Sequence, residues 1–78
     1  MRVNKPHKFN MPFFTLRNNR HLSQEKMANI LDVSRSMILD IEKGEAYGKV
    51  DFWIDVQKEF GISDEDMWKL VLGKSDGQ

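Results

Sequence analysis

The chain has no cysteine. Disulfide staples, thiolate nucleophiles and thiolate zinc sites are therefore excluded together. Its two histidines, His7 and His21, are too few for an imidazole metal site, and neither a metal nor another cofactor is expected. No apolar run approaches the roughly 18 to 20 residues needed to cross a bilayer, and the N-terminus lacks the apolar stretch of a secretory signal. The expected setting is the cytoplasm, with no membrane partner. No alternating apolar pattern marks a strand, and there is no internal repeat or low-complexity tract. Nor can a nucleophile with its base, a glycine-rich phosphate loop or a carboxylate pair in a cleft be assembled, so the chain does not read as an enzyme.

What is present is an ordinary globular composition, 40% hydrophobic and 31% charged over 78 residues. That length supports one domain with one core. The formal net charge is zero, but its distribution is uneven. Through Gln24 the basic residues Arg2, Lys5, Lys8, Arg17 and Arg20 meet no acid, and all 12 acids lie from Glu25 onward. Such polarity orients one end toward a polyanion and turns the other away.

Residues 1–10 carry no core pattern and read as a flexible basic arm, either reaching a duplex or attracted weakly to phosphate. Residues 11–73 read as five helices. Pro12 suits a first helical position, and Phe13, Leu16 and Arg20 follow at helical spacing until His21, whose cation would meet the negative helix end. Ser23, Ser34 and Ser63 stand where N-caps belong, and Gly44, Gly61 and Gly73 close helices that begin near Ser34, Val50 and Ser63. The expected core stripe is Phe13, Phe14, Leu16, Met27, Ile30, Leu31, Ile38, Ile41, Trp53, Ile54, Phe60, Met67 and Leu70. Residues 74–78 read as a disordered tail. The fold class is all-α.

Two short helices, each with its own serine cap and joined by only a few residues, must cross steeply, which is the geometry of a helix-turn-helix. The first turn of the second helix, Arg35, Ser36 and Met37, can then point into a major groove. The pattern Leu22-Ser23-Gln24-Glu25, Ala28, Leu31-Asp32-Val33-Ser34-Arg35-Ser36, Ile38 and Ile41-Glu42-Lys43-Gly44 resembles the phage-repressor and Cro type (lambda-repressor-like, XRE) helix-turn-helix family. The resemblance continues through Phe60-Gly61-Ile62-Ser63 and Met67, covering residues 13–72. It implies a compact five-helix domain, double-stranded operator DNA as partner, and regulation of transcription.

The resemblance places Gln24 and Ser34 near phosphates, Lys43 near the backbone again, and Arg35, Ser36, Met37 and Asp40 where bases are read along the recognition helix 35–43. Arg17 is a further phosphate candidate. By chemistry, Arg35 can donate twice to guanine O6 and N7, while Ser36 is a less selective reader. Met37 either touches a thymine methyl or fills core; Asp40 either accepts from cytosine N4, orients Arg35 or faces solvent. Tyr47 either bonds a phosphate or covers the core edge. Phe52 and Trp68 do not both fit inward faces, which suggests homodimerisation through that region. A repressor on a palindromic operator is the leading expectation. The alternative is an antitoxin or anti-repressor type module acting mainly through a protein partner, in keeping with the acidic second half.

Overall fold

The structure is a computed structural model that describes residues 9–73. The arm residues 1–8 and the tail 74–78 lie outside the described residues. Five helices follow in order: α1 Met11–Asn19, α2 Gln24–Leu31, α3 Arg35–Glu42, α4 Val50–Phe60 and α5 Asp64–Leu72. This is the five-helix, all-α architecture expected, with no strand among the described residues. None of these helices is long and apolar enough to cross a membrane.

Serine caps start three of the helices. The hydroxyls of Ser23, Ser34 and Ser63 accept the backbone N–H of Lys26, Met37 and Asp66 at 3.0, 3.2 and 3.2 Å, each contributing about 1 kcal/mol to its helix. Between α2 and α3 the chain turns within residues 32–34, because Asp32 adopts the left-handed conformation (φ 58°, ψ 46°). That turn lets the Val33 N–H donate to the Ala28 carbonyl at 2.9 Å and sets the Val33 side chain against the core. His21 is likewise left-handed (φ 57°) and lies in the turn after α1 rather than in its last turn.

Phe13, Met27, Ile38, Ile41 and Val56 are the largest fully buried side chains. Around them the α4 register departs from the sequence expectation. Phe52, assigned to an interface, is buried, whereas Ile54 and Ile30, assigned to the core, are 44% and 40% exposed. The reason is aromatic packing: Phe52 and Trp53 lie 4.9 Å apart, and both meet the Phe13 ring, at 6.1 and 5.6 Å between centroids. Turning Phe52, Trp53 and Val56 inward buries more ring surface than turning Val50 and Ile54 inward, and tilted ring pairs add about 0.5 to 1.5 kcal/mol each. Phe60 and Met67 are half-buried against the edge of this core, whereas Phe14, also expected in it, is half-buried beside Phe9 and the Arg17 guanidinium.

Asn10 also corrects the sequence reading. Assigned to the arm, it is buried and caps α1, its Oδ1 accepting the Phe13 N–H at 3.1 Å. A polar side chain can be buried here because a bare helix N-terminus supplies N–H donors that need an acceptor.

The loop from α3 to α4 presses its backbone onto the aromatic cluster at Gly48. A Cβ there would sit 2.5 Å from Phe52 Cδ2 and 2.9 Å from Trp53 Nε1. Both rings are held by Phe13 and cannot swing away freely. Gly48→Ala is therefore expected to destabilise the domain by about 1 to 3 kcal/mol, the usual cost of overpacking, read as a lower urea midpoint with an unchanged slope.

Candidate nucleic-acid interface

Helix α3 is anchored by one face and free on the other. Ile38, Ile41 and Glu42 are buried, while Arg35, Ser36 and Lys43 are exposed and Asp40 is half-buried. Ser36, Asp40 and Lys43 follow one another at four and three residues and so share one stripe along the helix, with Arg35 at the edge of that stripe, opposite the buried Ile38 and Ile41. The Ser34 cap fixes where that stripe begins. Arg35 and Ser36 thus stand in the first turn of a helix whose opposite face is locked into the core.

Met37 is half-buried and packs against the core cluster, so of its two sequence readings the structure favours core filling. Leu39, absent from the sequence reading, is half-buried one turn after Arg35.

The phosphate candidates separate by what their side chains already touch. Gln24 opens α2, and its Nε2 donates to Glu42 Oε1 at 3.2 Å. Ser34 opens α3 with its hydroxyl engaged as the cap. Both therefore stand at helix N-termini, where unpaired N–H groups and the helix dipole favour an anion. Lys43 pairs with Glu45 at 3.6 Å, both side chains being about half exposed. Such a surface pair is weak and gives way readily to a stronger anion. Tyr47 is 84% exposed and does not cover the core edge.

Arg17 is turned inward, against the sequence expectation. Its Nη1 donates to the Leu22 carbonyl at 2.7 Å, its Nη2 to Glu42 Oε1 at 3.2 Å and its Nε to Glu42 Oε2. The guanidinium also lies over the Phe14 ring at 5.3 Å. With its side chain 13% exposed and that of Glu42 3% exposed, Arg17 braces the structure under Gln24 instead of facing a ligand. The physical reason is that Glu42 is buried by α3 packing and needs a cation, and Arg17 supplies it from α1, which packs against α3.

A helix with a capped start and an outward polar stripe, preceded by a second helix whose N-terminus is also capped, can dock on a duplex through backbone at two points and bases at one. Comparison with known proteins agrees with that chemistry. Residues 15–67 match the family model described as Helix-turn-helix. No curated protein matches the chain.

Proposed function

Since the chain belongs to the Cro/C1-type helix-turn-helix family and is a DNA-binding transcription regulator, we propose that it is a repressor that binds a palindromic operator in the cytoplasm as a homodimer. The observation that carries this reading is the solvent-facing Arg35 and Ser36 at the capped start of α3, backed by the buried Ile38 and Ile41. Arg35 reads guanine, Ser36 and Asp40 read neighbouring bases, and Gln24, Ser34, Lys43 and Tyr47 meet phosphates. Arg17 supports Gln24 from beneath.

Dimerisation is supported by apolar side chains left uncovered on the last two helices. Trp68 is 60% exposed and Leu72, one turn later, 51% exposed; Val50 and Ile54 on α4 are 73% and 44% exposed. Phe52, being buried, drops out of the interface. A two-fold pairing through this region presents two recognition helices to half-sites about 34 Å apart. The same patch supports the second reading, a module that holds a protein partner, because acidic residues accompany it at Asp51, Asp55 and Glu65.

Selection of bound sequences from a random duplex library tests the choice. The expected product is a palindrome, and Trp68→Glu should reduce its enrichment at least tenfold while leaving single half-sites bound, since one module alone binds weakly. Absence of enrichment at low salt would move the assignment to the protein-binding module.

A further inference from the structure

Asn10 does more than a helix cap requires. A cap needs only an acceptor, and serine, threonine or aspartate supplies one as well as asparagine. Here the Oδ1 accepts from Phe13 while the Nδ2 of the same amide donates to the Leu70 carbonyl of α5 at 2.8 Å. The two partners fix the amide's orientation, since an N–H must meet the oxygen and a carbonyl must meet the nitrogen. The Asn10 backbone N–H donates to the Glu42 carbonyl, at the end of α3, at 2.7 Å. One residue, 6% exposed, thus joins the start of α1 to the ends of α3 and α5.

The end of α5 is shaped around this amide. Gly73 has φ +69°, and a Cβ there would lie 3.3 Å from Asn10 Cγ, so the turn that closes α5 lies directly against Asn10. On the other side, Glu42 holds Arg17 and Gln24 through its carboxylate while its carbonyl takes the Asn10 N–H. The path from the recognition helix to α5, which also carries Trp68 and Leu72, is therefore two hydrogen bonds long: Glu42 to Asn10, and Asn10 to Leu70.

We propose that Asn10 is a positioning residue that locks α3 to α5 and thereby sets the separation at which two copies present their recognition helices to DNA. This rests on the dimeric reading above. Small rotations of α5 against α3 are magnified across a two-fold axis, and rigid half-site spacing needs that joint to be stiff.

The test uses Asn10→Asp and Asn10→Ser, which keep the cap acceptor and delete the Nδ2 donor. Binding is measured to duplexes carrying two half-sites at separations varied one base pair at a time, and to a duplex with one half-site. For both variants the single half-site affinity should stay within about twofold of the unaltered chain. The preference for the best separation over its neighbours should fall about three- to tenfold, the fold-change equivalent to one hydrogen bond's net contribution. A variant that keeps the original preference overturns the positioning role while the dimeric reading stands. Equal losses on single and paired half-sites also overturn it, by showing a purely structural effect. If the unaltered chain shows no separation preference, the dimeric reading falls and the proposal with it.

Discussion

Replacing Arg35 with alanine is expected to weaken binding to the selected operator by about 5- to 150-fold, the equivalent of about 1 to 3 kcal/mol, and to relax the preference for guanine at one position of each half-site. The side chain is exposed in the first turn of α3, so its removal opens no cavity and leaves no buried partner unsatisfied. Thermal stability should stay within about 0.5 kcal/mol of the unaltered chain, as for surface substitutions generally. Binding to unrelated duplex should change little, because it draws on phosphate contacts that Arg35 does not make in this reading. The decisive comparison is a competition between the operator and its guanine-substituted forms at one fixed salt concentration. A uniform loss over all sequences would assign Arg35 to the backbone and require another base reader.

Glu42→Ala should act in the opposite way, on the fold first. Its carboxylate is the only acidic partner that the Arg17 guanidinium has among the described hydrogen bonds, and it also accepts from Gln24. Deleting it strands a largely buried cation, which costs about 3 to 5 kcal/mol in comparable cases. A chain of this length has roughly 4 to 12 kcal/mol of total stability, so the variant should lose between about a quarter and all of it. Urea denaturation at 25 °C gives the magnitude. The double variant Arg17→Met, Glu42→Leu should recover most of the loss, because it removes both desolvated charges and fills the space with apolar atoms. A double variant no more stable than Glu42→Ala would mean that packing, not the stranded charge, sets the cost.

The parts of the fold legible in the sequence are those with local causes. Ser23, Ser34 and Ser63 each precede a helix and cap it through a backbone N–H three residues on, so the starts of α2, α3 and α5 could be read directly. The face of α4 could not. Val50 with Ile54, and Phe52 with Val56, satisfy the same four-residue spacing, and what decides between them is contact with Phe13, roughly forty residues away in sequence. Asn10 followed by Pro12 was a local capping signal, but the polar, basic character of the preceding residues drew it into the arm.

Legibility of the site divides along the same line. The outward placement of Arg35 and Ser36 follows from the α3 pattern itself. The inward turn of Arg17 follows from an ion pair between residues 25 apart in sequence, which no local pattern encodes. A basic residue near a DNA-contacting segment is readily taken for a phosphate ligand, and only the burial of Glu42 reveals that this one is already committed.

The aromatic cluster also divides the chain's two tryptophans into separate optical reporters. Trp53 is packed edge-on to Phe13 and Phe52 with 7% of its surface accessible, whereas Trp68 is 60% accessible. Emission from the first belongs to a rigid apolar environment and changes when the core melts; emission from the second belongs to water and changes when something covers the outer face of α5. One unlabelled sample therefore distinguishes loss of structure from occupation of that face, by the direction in which its fluorescence moves.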